Sequence, residues 1–353
     1  MVTRVIHFGT GYSGMHALRG IIDHPELELV GLVVHSDEKA GRDAGELAGV
    51  GPVGVVATCD LDAALVTDPD AFCYMATTHG RFKAAIAEVC TILEAGVNVV
   101  TTSFGLLIHP GSARPDVLSR LDGAARSGGV SFLSTGIEPG FFSDYLPVVL
   151  SGCAHRIDSL RVYELAVYES GHQSDEVAFD ICGFGKPVDT APPIVDPAGM
   201  LPWAGVVRSM AEQLGVVLDG IETSYELLPA ADAFDYQGRR IDAGTIAGFR
   251  FEIAGMVDGC TRLAVEHVTR TRADQAPHWP NSTAGDVYRI ELDGSPRLEC
   301  EFSFREADDH LAGGFNITAM RAVNAIPALR GAAPGVVSTF DLPPVTGRGR
   351  FAS

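Results

Sequence analysis

Gly9, Gly11 and Gly14 follow the apolar run Val5-Ile6-His7-Phe8 and open an amphipathic stretch. Backbone amides that no side chain fences off, at the start of a helix, can hold a phosphate oxyanion, and the G-x-G-x-x-G spacing suits the pyrophosphate of a dinucleotide. Thr10, Tyr12 and Ser13 fill the intervening positions, so the whole turn is a candidate cradle. Glycines alone also make ordinary turns, so the context carries the argument. Met15, Leu18, Ile21 and Ile22 share one helical face, Asp23-His24-Pro25 stops the helix, and residues 27–34 form a near-continuous apolar run. Such a run is expected of a parallel strand buried on both faces. Strand, turn, helix and strand make a complete βαβ unit, and the expected ligand is a nicotinamide dinucleotide.

The end of the second strand bears on which dinucleotide is used. An acidic residue there would bond the adenosine ribose and favour NAD, whereas small and basic residues favour the phosphate of NADP. His35 and Ser36 occupy the ribose position, Lys39 and Arg42 follow within reach of a phosphate, and Asp37 could instead serve NAD. The expectation is NADP, with NAD possible. Read as ordinary loop charges, Lys39 and Arg42 would decide nothing.

The elements that must position these groups alternate through residues 1–150. Strands are expected at 53–58, 70–77, 97–102 and 130–135. A helix with Phe82, Ile86, Val89 and Leu93 on one face ends at Gly96, and another covers 116–126. This alternation predicts an α/β, Rossmann-type doubly wound parallel sheet, whose ligands lie beyond the carboxyl ends of the strands. Ala76, Thr77, Thr78, Thr101, Thr102 and Ser103 stand at such ends and are expected to line the nicotinamide end of the site. A helix is expected to start near Phe141.

Residues 151–315 read as a substrate and dimerisation domain of α+β type on a mainly antiparallel sheet. Strands are expected at 160–168, 249–256, 263–271, 287–292 and 298–304, the last two joined by the hairpin signal Asp293-Gly-Ser-Pro296. One helix is expected at 206–214, and the Pro-rich stretch 187–202 reads as a long loop over the substrate. Residues 316–353 return to the first domain through a helix at 317–329, from which Asn324 would reach the nicotinamide.

The 353 residues are 46% hydrophobic and 20% charged, with a formal net charge of −19. That balance disfavours a nucleic-acid surface or an anionic membrane, so the partners expected are a small-molecule substrate and a second copy, a homodimer. The seven cysteines form no C-x-x-C pair and read as thiols of a reducing, cytoplasmic protein. No leader segment or membrane span is read, and no His/Cys/Asp cluster has metal-ligand spacing.

The strand and turn at Gly9 to Gly14, the segment Gly41-Arg-Asp-Ala-Gly-Glu-Leu47 and the strand at 97–104 resemble the dihydrodipicolinate reductase superfamily. Thr135-Gly-Ile-Glu-Pro-Gly-Phe141, Gly183-Phe-Gly-Lys-Pro187, Val265-Glu-His-Val-Thr-Arg270 and Thr318-Ala-Met-Arg-Ala-Val-Asn-Ala-Ile-Pro327 resemble a narrower branch. That branch holds 2,4-diaminopentanoate dehydrogenase and the native amine dehydrogenases. The resemblance implies hydride transfer to or from a C=N or C=O bond of a small molecule, in a cleft between the domains. Two departures qualify it. The stretch nearest the reductase motif, Gly171-His-Gln-Ser-Asp175, has one histidine and no lysine. Ser103-Phe104-Gly105-Leu106 stands where the amine dehydrogenases carry a carboxylate.

The protein must hold the substrate carbon and handle one proton. Glu138, in the loop after the sixth strand, is the first candidate, where a carboxylate could bind a substrate ammonium or iminium. Its bland alternative is a residue favouring a helix start. His79 could be a general acid or cap the helix that follows. Tyr168 and His172, with Glu169, end a strand of the second domain. His267 and Arg270 lie mid-strand on opposite faces, and His267 reads as a satisfied sheet histidine. Two alternatives stay open: a cofactor-binding sensor without turnover, and a non-redox enzyme on the same scaffold.

Overall fold

A computed structural model describes residues 2–169, 173–304 and 312–351. The chain divides into two compact units, residues 1–137 with 314–353, and residues 138–313.

The first unit is built on a parallel sheet of β1 (Thr3–Phe8), β2 (Leu27–Val33), β3 (Ala57–Thr58), β4 (Ala71–Tyr74), β5 (Asn98–Thr101), β6 (Ser131–Ser134) and a last strand, Gly335–Val337. Their order is Gly335–Val337, β6, β5, β4, β1, β2, β3. The chain runs outward from β1 to β3 and then restarts at β4 on β1's other side, so the switch point lies between β1 and β4, as a doubly wound sheet requires. Strand alternation divides the core. Phe72 and Tyr74 of β4 pack with Ile86, Val89, Phe104 and Phe132 on one face. Ala71 and Cys73 face the other way, with Val5, Ile21, Ala319, Ala322 and Val323.

Two details differ from the sequence reading. Of residues 53–58 only Ala57–Thr58 joins the sheet as a strand, because the amides of Val53 and Gly54 are bonded to the Asp43 carboxylate at 3.0 and 2.7 Å. The expected helix at 317–329 is two, Ala312–Val323 and Ile326–Leu329. Pro327 has no N–H to continue the first helix and its ring would crowd the preceding turn. The chain does return to the first unit here.

The second unit holds a six-stranded sheet of β7 (Arg156–Val167), β8 (Gly220–Pro229), β11 (Ile246–Val257), β12 (Cys260–Arg270), β13 (Val287–Ser295) and β14 (Leu298–Ser303). The hairpin β9 (Phe234–Tyr236) and β10 (Arg239–Ile241) stands apart. Its order is β14, β13, β7, β12, β11, β8; β7 and β12 run parallel and every other pair antiparallel. The five expected strands are present. β8 was not foreseen; it is an edge strand exposed along most of its length, and the alternation of Ile221, Thr223, Tyr225 and Leu227 with Glu222, Ser224 and Glu226 was the signal available.

The helix expected at 206–214 extends back to Leu201, since Pro202 sits in its first turn, where its missing N–H costs nothing. The Pro-rich stretch is therefore a loop only as far as Met200. The helix expected near Phe141 begins at Tyr145, where the side chain of Asp144 accepts from the first amide. Among the described residues no helix is long and apolar enough to cross a membrane.

Candidate active site

The three glycines of the turn are required for three different reasons. Gly9 has φ +103°, and a Cβ there would lie 2.8 Å from the backbone of Met75 and Ala76 at the end of β4. A Cβ on Gly14 would collide with the carbonyl of Gly9, so the helix Tyr12–Ile22 packs directly on the turn. Gly11 is extended at φ −78°, and its absent Cβ would meet nothing within 4 Å. It caps the helix without any side-chain bond, and the first turn carries no acidic residue. Uncapped amides facing open space at a positive helix end fit a pyrophosphate.

Two side chains fix the turn. His7 is wholly buried and its Nε2–H donates to the Gly9 carbonyl at 2.6 Å. Burial lowers its pKa to about 4, so the ring is neutral and Nε2 carries the proton. Lys39 Nζ donates to Thr10 Oγ1 at 2.8 Å, which brings a cation to the turn.

The carboxyl ends of the strands gather beside it. Met75 N donates to Phe8 O, Thr102 Oγ1 donates to Met75 Sδ at 3.1 Å, and Thr78 Oγ1 donates to Ser103 O at 3.1 Å. Thr101 Oγ1 accepts from Ser103 N at 2.9 Å, and Thr135 N donates to Thr101 O. Ala76, Thr77, Thr78, Thr101, Thr102 and Ser103 thus come together with Gly9 to Gly14. Thr135 Oγ1, at the end of β6, is buried with no hydrogen-bond partner among the described residues, a polar atom suited to a ligand.

At the ribose position His35 lies on the Phe8 ring, 4.7 Å between centroids, and its pKa is lowered by partial burial and then by the charge of Arg81. Arg42 is exposed, and Asp37 is approached by Cys59 Sγ at 3.8 Å. Arg81 was not anticipated. It donates to Tyr74 Oη at 3.0 Å and to Thr77 O at 3.2 Å, and pairs with Glu88. A cation one residue ahead of a helix that follows a strand end was the signal available.

The structure does not bring Asn324 to this group. Its helix starts beside Tyr12, with Phe315 stacked on the Tyr12 ring at 5.0 Å, and runs so that Met320 and Val323 reach Gly20. Asn324 therefore stands at the far end of both helices, where Arg350 Nε meets its Oδ1 at 3.4 Å. Phe315, one turn from the helix start, is the residue that this element places at the glycine turn.

In the second unit a single transverse row crosses the sheet: Phe251, His267, Glu164, Tyr288 and Phe302 are successive register partners on β11, β12, β7, β13 and β14. Directly paired residues share a face, so a carboxylate and an imidazole sit in an aromatic layer. His267 Nδ1 lies 3.0 Å from Glu164 Oε2, and its Nε2 2.8 Å from Thr269 Oγ1. The ring stacks on Phe251 at 5.1 Å and on Phe249 at 5.5 Å. The helix Leu201–Leu214 lays Trp203 over this row, 5.0 Å from Phe251 and 5.8 Å from His267.

Glu138 joins the same cluster. Its Oε1 accepts from Trp203 Nε1 at 2.7 Å, while Oε2 is buried with no partner among the described residues. Burial first, and then the negative charge of Glu164, raise its pKa well above the usual carboxylate range; the Ser143 hydroxyl and the Trp203 N–H offset this only in part. Burial followed by Glu164 likewise raises Tyr168 and Tyr288, which stay protonated. The arrangement holds a neutral carboxyl beside a second carboxyl, the environment of an acid–base group.

Other candidates fall elsewhere. His79 is exposed, and the helix after it begins at Phe82 with Arg81 at its cap, so His79 does not cap it. The helix-start role considered for Glu138 belongs to Asp144. Tyr168 is buried in the Glu138 cluster, whereas Glu169 is exposed; His172 lies outside the described residues. Arg270 is buried, donating to the carbonyls of Gln275, Ala276 and Pro280. Glu164, Trp203 and Tyr288 were missed. Alternation with the buried Leu160 and Val162 was the signal that Glu164 faces inward.

These sites can be set beside known proteins. The profile of the 2,4-diaminopentanoate dehydrogenase C-terminal domain matches residues 141–348. The chain is 35% identical over 356 residues to an amine dehydrogenase of Streptomyces virginiae, covering 99% of this chain and 98% of that one. It is 24% identical to 2,4-diaminopentanoate dehydrogenase of Acetoanaerobium sticklandii, over 96% of this chain and 93% of that one. The amine dehydrogenase structure from Mycobacterium smegmatis shares the fold, with a TM-score of 0.77 at 23% identity over 99% of this chain and 98% of that one. With a glycine turn fitted to a nicotinamide dinucleotide and this likeness along its length, the chain belongs to the 2,4-diaminopentanoate dehydrogenase and native amine dehydrogenase branch of the dihydrodipicolinate reductase-like superfamily, and is an NAD(P)-dependent oxidoreductase.

Proposed function

We propose that the protein is an NADP-preferring amine dehydrogenase, interconverting a small-molecule amine with its imine or carbonyl form, and that Glu138 carries the proton. The observation that supports this most is the Glu138 carboxyl, buried, one oxygen held by Trp203 and the other without a partner among the described residues. The bound nicotinamide supplies or takes the hydride. The Glu138 O–H donates to the substrate nitrogen or oxygen as the carbon is reduced, and the carboxylate takes that proton back in the oxidation. This carboxyl does the work expected of the one that Ser103-Phe104-Gly105 lacks.

NADP is favoured by the absence of an acidic residue at His35-Ser36 and by Lys39 and Arg81 nearby. The names of the two curated relatives favour an amine substrate. A cytoplasmic homodimer, paired through the second unit's sheet, completes the reading. Fluorescence titration with NADPH and NADH, followed by amine oxidation and reductive amination assays at the nicotinamide absorbance band, tests it. Tight NADPH binding with turnover of amines is expected; binding without turnover across amines, imines and ketones would instead identify a sensor.

A further inference from the structure

Several carboxylates of the second unit's sheet are paired with arginine. Glu252 and Glu266 pair with Arg161, Glu226 with Arg250, and Glu301 with Arg289. Glu164 and Glu138 have no lysine or arginine within salt-bridge distance among the described residues. Among the described residues the ionisable group within 4 Å of the Glu164 carboxyl is His267, and the Glu164 side chain keeps 12% of its surface exposed. A carboxylate without a cationic partner in an aromatic layer is costly, and the cost falls when a positive ligand enters.

We propose that Glu164 is the anion that binds the positive charge of the substrate, a primary ammonium, with His267 as the positioning residue behind it and Glu138 beside it. This rests on the amine reading above and divides its work between two carboxyls. His267 Nδ1 lies 3.0 Å from Glu164 Oε2, which sets the imidazole directly behind the carboxyl. Burial first, and then the neighbouring Glu164 carboxyl, hold the proton on Glu138. The same register row places Tyr288 opposite Glu164.

The test uses n-butylammonium chloride against sodium chloride and uncharged n-butanol, read by thermal shift and calorimetry on the full chain without cofactor. Wild type is expected to bind butylammonium and not butanol. Glu164→Gln should lose affinity by about tenfold or more, Glu164→Asp should recover part of it, and Glu138→Gln should retain binding. In turnover, Glu164→Gln should raise the amine KM far more than it lowers kcat. Equal stabilisation by butanol, or undiminished butylammonium binding by Glu164→Gln, overturns the proposal. Glu164-dependent binding in a protein that oxidises no amine would sink the enzymatic reading and leave this site standing. Amine turnover with binding indifferent to Glu164 would do the reverse.

Discussion

The glycine turn of the first unit and the carboxyl cluster of the second solve opposite problems. The turn offers backbone amides to an anion, and the buried His7 that holds it is neutral. The cluster assembles ionisable side chains from β7, β12, β13 and the loop at Glu138 in an apolar layer, under Trp203 of a helix. The turn depends on side chains that are absent, so it tolerates little added volume. The cluster depends on charges that disagree, so its behaviour follows proton content. A binding site made of backbone is therefore read through volume, and an acid–base site through pH.

The sharpest break between them is Glu138→Gln. It should lower kcat by roughly 10²–10⁴-fold, as loss of a general acid does, with NADPH affinity unchanged. Its stability should be no lower at neutral pH. The folded state keeps a proton on Glu138 that the unfolded chain releases above the ordinary carboxylate value, so wild-type stability falls as pH rises through that window. The variant should show a flatter profile there, by denaturant titration across pH.

His7 gives the opposite sign. The unfolded ring gains a proton below 6.5 whereas the folded one resists until about 4, so stability is lost as pH falls between those values. Full exchange of that difference amounts to about 3 kcal/mol. His7→Gln keeps a donor for Gly9 and does not titrate, and should remove most of this acid limb in chemical unfolding.

Within the turn, Gly14→Ala and Gly11→Ala separate packing from binding. The first forces a Cβ against the Gly9 carbonyl and should cost about 1–3 kcal/mol along with nucleotide affinity. The second meets open space and an ordinary φ, so its melting temperature should hold while NADPH affinity falls about tenfold or more. Equal effects from both would mean that the space before Gly11 receives no ligand.

Trp203→Phe should give the smallest change. It keeps the ring over Phe251 and removes the N–H to Glu138, a loss of about 1 kcal/mol in kcat/KM, with the acid's apparent pKa moved upward in the pH–rate profile.

The first site was legible because its signals are local. Glycine spacing, strand ends such as Thr77-Thr78 and Thr101-Thr102, and the helix after Gly14 lie within short stretches, and backbone geometry over such distances follows from residue type. Arg81 and Phe315 escaped because each arrives from another element. Asn324 was misplaced because a periodic helix does not state which of its ends meets the turn. In the second unit Glu138 was recognised as a carboxyl in a loop, but its partners are 26 and 65 residues away, at Glu164 and Trp203.

By itself the sequence determined the parallel sheet, the glycine turn and the apolar faces of the strands, since these depend on hydrogen-bond periodicity and side-chain volume along the chain. Tertiary structure alone decided that Glu164 stands between His267 and Tyr288, and that Glu138 meets Trp203. Strand order and register set which charges share a low-dielectric layer, and the proton content of a carboxyl depends on that neighbourhood rather than on its own residue type.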